Sequence, residues 1–372
     1  MAACEAERAT QGGAGQPENL RSAGCWARVI RGLGGLYCLE PLPPDGATGR
    51  DQIRERERLW REAPERWEQA LLLAKPRGIF RKDGRQILPG DLVRYEAAHD
   101  PDIPWVITAY QPRRSLLLRP PVANLDGLAI CFACREPAPD LLLLDKLILM
   151  ARLAQLDILI LFTKTDQLTP GERTAFRAGL AAYERGFTCL MLGRAPGAWT
   201  KGGQGTGQNA AVPGPEQAGD DAAAFKLLTE RLRGKIWAFC GPSGVGKSTL
   251  FNRLMGRRHM AMGAISRKMG RGRQTTRHVE LAPSGGAYLL DTPGFEILDL
   301  AQLAGGEADL IQAYPEFADL STRCRFTACR HLREPDCAVK IFAASAPAYW
   351  ARYRRYEALA EELETLRRSR YR

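Results

Sequence analysis

Between Gly241 and Thr249 the chain reads GPSGVGKST, a spacing of glycine, lysine and hydroxyl residues suited to holding a chain of phosphates. Gly241, Gly244 and Gly246 let the backbone curl until successive N–H groups point inward, with Pro242, Ser243 and Val245 completing the cradle. Lys247 is placed to reach the outer phosphates and the Ser248 hydroxyl to sit on a magnesium ion. Thr249 continues into a helix whose N-terminus adds unpaired N–H donors. A glycine-rich turn can also serve tight packing alone. The complete motif, set between the apolar run from Ile236 to Cys240 and a helical pattern through Leu250, Phe251, Leu254 and Met255, favours phosphate.

Three other groups carry chemistry. Thr163, Lys164, Thr165 and Asp166 follow the apolar run DILILF, at a strand end, where ligands bind in open parallel sheets. An aspartate there can accept from both N1–H and N2–H of a guanine edge, a match that adenine lacks, while the Lys164 stem lies along the base plane. TKTD alone matches many chains by chance; the phosphate loop downstream is what raises it. The segment from Arg267 to Arg277 is strongly basic, and its Thr275 and Thr276 are placed to meet Mg²⁺ and a terminal phosphate as a switch loop does. Next, AYLLDTPGF places Asp291 to hold the metal through water and the Gly294 N–H to sense the γ-phosphate, although DTPG by itself is also a type I turn. Phe295 follows, and a phenyl ring cannot orient water, so Gln274 is the candidate for that role. Finally, Cys324, Cys329, His331 and Cys337, spaced C-x4-C-x-H-x5-C, form a Cys3His set of the kind that encloses a structural zinc; buried free cysteines and a hydrogen-bonded histidine are the alternative.

The elements that must position these groups follow from pattern and length. At 372 residues the chain exceeds one compact core. Residues 1–22 have no apolar core and read as a disordered tail, not a signal peptide. Short strand signals over 23–121 (WARVI, GGLYCLE, KPRGIF, DLVRY, WVITAY, SLLLRP) argue an OB-type β-barrel with a charged insertion near 43–70. Residues 122–301 alternate strand and helix, with a glycine-rich, flexible insertion over 197–222, and 302–372 turn helical around the Cys3His set. LLLLDKLILMARLAQLDILILF, from Leu141, is broken by Asp145, Lys146, Arg152 and Asp157, so it reads as a helix and a buried strand, with no membrane span. The formal charge of +11 suggests a polyanionic partner, with nucleic acid ahead of membrane. Without an export signal, the ten cysteines belong in a reducing cytoplasm.

The guanine motif precedes the phosphate loop, the reverse of the order in ordinary small GTPases. That order is a circular permutation, and it feeds the second switch directly into the C-terminal zinc segment. With GGLYCLE, PGDLVRY, RPPVANLD, TKTD, GPSGVGKST, GRGRQTT, DTPGF and the cysteine block, the chain from about Cys25 resembles the small-ribosomal-subunit-dependent, circularly permuted GTPases, the RsgA family. The resemblance implies a multidomain α/β protein: a permuted P-loop GTPase core flanked by an OB barrel and a zinc-binding helical domain. It further implies GTP/GDP, Mg²⁺ and one structural Zn²⁺ as cofactors, the small ribosomal subunit and its rRNA as partners, and a cytoplasmic monomer acting in late subunit maturation. Three positions depart from the family pattern. Thr163 stands where most GTPases have Asn, the segment around Leu192 lacks the Ser-Ala pair that supports the base, and Gln274 replaces a His. An RNA-binding protein with a passive nucleotide, and an ATPase of nucleic-acid remodelling, are the rival readings.

Overall fold

Alternation sets the first body of the structure. In LVRYEA (Leu92–Ala97), Val93 and Tyr95 are buried while Arg94 and Glu96 face outward, the period of two that a half-buried strand requires. The computed structural model describes residues 25–42, 58–59, 63–78, 80, 86–118, 120–193, 215–255, 279–290 and 307–370. Its chain divides into two compact units, residues 1–125 with 258–291 and residues 126–257 with 292–372.

In the first unit, strands β1 (Cys25–Leu33), β2 (Leu36–Pro41), β3 (Leu72–Pro76), β4 (Leu92–Ala97) and β5 (Trp105–Tyr110) close a barrel in the order β1-β2-β3-β5-β4. Only β3 and β5 run parallel; β1 closes the ring by pairing antiparallel with both β2 and β4. This is the expected OB-type barrel, filled by Ala27, Val29, Leu39, Ala74, Val93, Tyr95 and Ile107. A register shift falls between Val29 and Arg31, and Ile30 at that irregularity is buried as Val29 is. The unit also contains two antiparallel pairs, β6 (Leu116–Leu118) with β7 (Pro121–Ala123), and β12 (Leu281–Ser284) with β13 (Ala287–Leu290).

One strand lies earlier than the sequence pattern suggests. KPRGIF is expected as a strand, yet β3 ends at Pro76. Past it the chain turns, with the Phe80 N–H donating to the Arg77 carbonyl, and the Phe80 ring packs 5.6 Å from that of Tyr110 at the end of the core. The apolar residue expected on a strand face is thus buried by a turn. The charged insertion ends in a helix, Pro64–Ala70, which buries Trp67 and offers Glu68 to Arg31 at 2.8 Å.

In the second unit, β8 (Gly127–Ala133), β9 (Asp157–Thr163), β10 (Thr188–Leu192) and β11 (Ile236–Cys240) run parallel in the order β10-β9-β8-β11. All seven residues of β8 and all five of β11 are buried, as parallel strands covered on both faces demand. The run from Leu141 is a helix, Leu141–Leu153, capped by Asp140 and followed by β9. Among the described residues no helix is long and apolar enough to cross a membrane. The helix expected from Ala224 instead begins at Pro215 and runs to Leu232, so the end of the insertion expected to be flexible is helical and places Asp221 in the interior. Residues 197–214, like the tail 1–22, lie outside the described residues.

The C-terminal helices Pro315–Ser321 and Pro347–Arg370 join the helix Leu141–Leu153 through a buried charge network, and the short helix Ala338–Ala343 packs against those two C-terminal helices. Arg352 and Asp145, both 0 % exposed, form an ion pair. Arg352 also donates to Glu316 at 2.5 Å and to the Ala313 carbonyl at 2.8 Å, with its guanidinium over the Tyr183 and Tyr314 rings. Asp145 accepts in addition from Tyr183 at 2.6 Å, Arg355 at 3.0 Å and Tyr314 at 3.2 Å. Burial pushes the Glu316 carboxyl up, and the Arg352 charge opposes that rise. Removing one member of such a network leaves an uncompensated buried charge. Arg352→Ala is expected to destabilise this unit by about 3–5 kcal/mol. Arg355→Ala, at the partly exposed edge, should cost only about 1–2 kcal/mol, both read as shifts of the urea midpoint.

Candidate nucleotide and metal sites

The strand β11 ends at Cys240, and the backbone must then turn sharply beside β8. Gly241 does this with φ +131°, and a Cβ there would lie 2.0 Å from the Cys131 carbonyl oxygen, so no side chain fits. Gly244 and Gly246 also adopt positive φ, and the helix Lys247–Met255 begins directly after them. Lys247 folds over the loop and donates to the Gly241 and Pro242 carbonyls at 2.6 Å each, while the Ser248 side chain is exposed at the first turn. The loop therefore has the curled backbone and the lysine reach that a phosphate chain needs.

Two strands away in the sheet, β9 delivers Thr163 to the same edge. Its hydroxyl donates to the Val245 carbonyl of the phosphate loop, and the Phe132 carbonyl lies 3.3 Å from it. Lys164 takes a left-handed backbone conformation, φ +60°, and its amine donates to the Glu136 carbonyl. Thr165 is buried and Asp166 is partly exposed beside it. The structure thus brings Thr163–Asp166 together with Gly241–Thr249. Gln274, Thr275, Thr276, Asp291 and Gly294 lie outside the described residues.

Sequence reasoning gave no role to Gly193, which lies beside Asp166, or to the two residues that hold it, Asp221 and Arg253. Gly193, just after β10, packs so closely that a Cβ would sit 3.0 Å from the Thr165 hydroxyl. Its N–H donates to Asp221 at 2.6 Å, and Asp221 pairs with Arg253 of the phosphate-loop helix at 3.0 Å. No local pattern marks this pair, because its members meet only through the packing of two helices. Burial pushes the thiols of Cys131 and Cys134, under the same edge, up to about 12, which keeps both protonated and inert at neutral pH.

The cysteine block forms a separate cluster. The ligand atoms of Cys324, Cys329, His331 and Cys337 all lie within 4.8 Å of one another. Sγ of Cys324 and of Cys337 are each 3.4 Å from His331 Nδ1, and 3.9 Å from each other. A tetrahedral zinc with ordinary bond lengths requires separations of about 3.5 Å for S to N and about 3.8 Å for S to S. The donor set therefore fits that ion. Burial lowers the His331 pKa and so favours the neutral imidazole that ligates metals. Tyr353 donates to the His331 carbonyl at 2.8 Å, tying the cluster to the long C-terminal helix.

With this geometry established, its likeness to known proteins is informative. The model of the RsgA GTPase family matches residues 110–196 and 212–301. The small ribosomal subunit biogenesis GTPase RsgA of Carboxydothermus hydrogenoformans is 34 % identical over 302 residues, covering 81 % of this chain and 93 % of that protein. The protein of the same name from Shouchella clausii is 33 % identical with the same coverage. Among solved structures, YloQ, described as a circularly permuted GTPase, superposes with a TM-score of 0.66 at 24 % identity, covering 94 % of this chain and 98 % of its own. YjeQ from Thermotoga maritima superposes with a TM-score of 0.63 at 24 % identity, over 91 % and 98 %. Both share the fold of this chain.

The Thr163 tie is testable by deleting one oxygen. Thr163→Val keeps the shape but leaves the buried Val245 carbonyl without its donor, a loss of about 1–1.5 kcal/mol. Guanosine diphosphate affinity, followed by fluorescence titration, is expected to fall about tenfold with the melting temperature of the first unit's barrel unchanged.

Proposed function

The chain belongs to the RsgA family of GTPases, and from that premise we propose that it binds the small ribosomal subunit and hydrolyses GTP during late maturation of that particle. The observation that carries the reading is the hydroxyl bridge from Thr163 to Val245, which sets a guanine-type motif against a phosphate loop despite their inverted order in the chain. The formal charge of +11 suits contact with ribosomal RNA, and we take the protein to act as a cytoplasmic monomer.

In this reading each residue has a defined task. The backbone N–H groups from Gly241 to Thr249 and the Lys247 amine bind the phosphates, and Lys247 exchanges its loop carbonyls for phosphate oxygens. Asp166 reads the base edge while the Lys164 stem lies along it. Ser248, Thr275 or Thr276, and Asp291 hold Mg²⁺, which when bound neutralises charge on the terminal phosphates. The Gly294 N–H senses the γ-phosphate, and Gln274 orients the attacking water when the particle is bound. Cys324, Cys329, His331 and Cys337 hold one zinc; with four protein ligands no position is left for chemistry, so the ion is structural.

Steady-state phosphate release should be slow for the free protein and rise by roughly tenfold or more with small subunits, an increase that Gln274→Ala abolishes. No turnover in either condition would sink the enzyme reading and leave a passive nucleotide ligand. Metal analysis of the purified chain should give about one zinc per molecule. Losing an outer-shell partner of a zinc site costs up to roughly 100-fold in affinity, and Cys329→Ser, which removes a direct ligand, should exceed that. Full zinc occupancy in that variant would place the metal elsewhere.

A further inference from the structure

We propose that Asp221 and Arg253 are the positioning residues of the guanine pocket, a clamp that holds the Gly193 peptide against Thr165 and Asp166 in place of a Ser-Ala pair. The inference rests on the reading of Asp166 as the group that recognises guanine. Asp221 is 6 % exposed and carries two duties at once. One oxygen accepts from the Gly193 N–H at 2.6 Å, and the other meets the Arg253 guanidinium at 3.0 Å. Arg253 Nη1 also stands 3.5 Å from the Gly193 carbonyl oxygen, so both polar groups of that one residue's backbone face the ion pair. The guanidinium is held flat by the Phe225 ring, 3.9 Å from its centroid.

The position of Gly193 gives the clamp its purpose. A Cβ on Gly193 would lie 3.0 Å from Thr165 Oγ1, 3.5 Å from the Asp166 nitrogen and 3.7 Å from Asp166 Cβ. Gly193 therefore forms the wall against which the base-reading turn rests. A bidentate contact to a base tolerates errors of about half an ångström, so this wall must be fixed by groups that do not themselves touch the ligand. Arg253 lies at the last turn of the helix whose first turn presents Lys247 and Ser248. One rigid helix thus sets the phosphate end and, through Asp221, the base end of the same ligand.

A salt bridge that merely joins two helices would support both ends of the site equally; a clamp on Gly193 affects the base alone. The discriminating measurement is the affinity of the full-length chain for GDP and for ADP, by calorimetry, in the wild type and three variants. Arg253→Met keeps a long unbranched side chain and removes the charge; it should weaken GDP by about tenfold while leaving ADP, held through its phosphates, within about twofold. Arg253→Lys should restore part of the GDP preference. Gly193→Ala leaves the ion pair intact but crowds Thr165, and it should reduce the GDP to ADP ratio in the same way, which keeps the test available if Arg253→Met does not fold. Parallel loss of both nucleotides, or an unchanged ratio in both Arg253→Met and Gly193→Ala, would overturn the clamp. A wild-type chain with no preference for GDP would instead overturn the guanine assignment beneath it.

Discussion

The Thr163 hydroxyl reaches across 82 residues of sequence to the Val245 carbonyl and joins the end of β9 to the phosphate loop. That contact is possible because β8 lies between β9 and β11, so the carboxyl ends of all three strands emerge at one edge. The close approach of Gly241 to the Cys131 carbonyl belongs to the same constraint: the loop can turn over β8 only where no side chain intervenes. Open parallel sheets bind ligands at such an edge, and the order in which strands occur along the chain does not alter which ends meet. A permuted sequence therefore builds the same site.

A second constraint holds the C-terminal segment in place. Arg352 joins Asp145 of the helix Leu141–Leu153, and a second bridge of 2.7 Å runs from Lys146 to Glu362. The segment carrying the Cys3His cluster is thereby bound to the helix that connects β8 to β9. The buried pair is weak evidence for net stability, because desolvation offsets much of its attraction. Its consequence is geometric: an apolar interface could slide, whereas this guanidinium has its donors committed to Asp145, Glu316 and the Ala313 carbonyl. The same Pro347–Arg370 helix that carries Arg352 to Asp145 also holds the cysteine cluster, because its Tyr353 bonds the His331 carbonyl.

The chain itself determined the features whose cause is local. Glycines at 241, 244 and 246 dictate a curled loop because few other residues tolerate those backbone angles, and β8 and β11 announce themselves by unbroken apolar composition. The cysteine spacing was equally legible, since four soft ligands within a short segment need little help from the rest of the fold to meet. Tertiary structure alone decided what long-range packing controls. KPRGIF has the composition of a strand but is bent into a turn by the needs of the barrel's end. Asp145 reads in sequence only as a charge that no membrane helix would carry, and becomes the centre of a buried network once Arg352 arrives from 207 residues away. Asp221, assigned by composition to a flexible insertion, is drawn into the interior by Arg253 and the Gly193 N–H. Charged residues carry no periodic mark of their partners: whether a carboxylate is solvated or buried depends on which distant group can compensate it, and only the folded arrangement supplies that group.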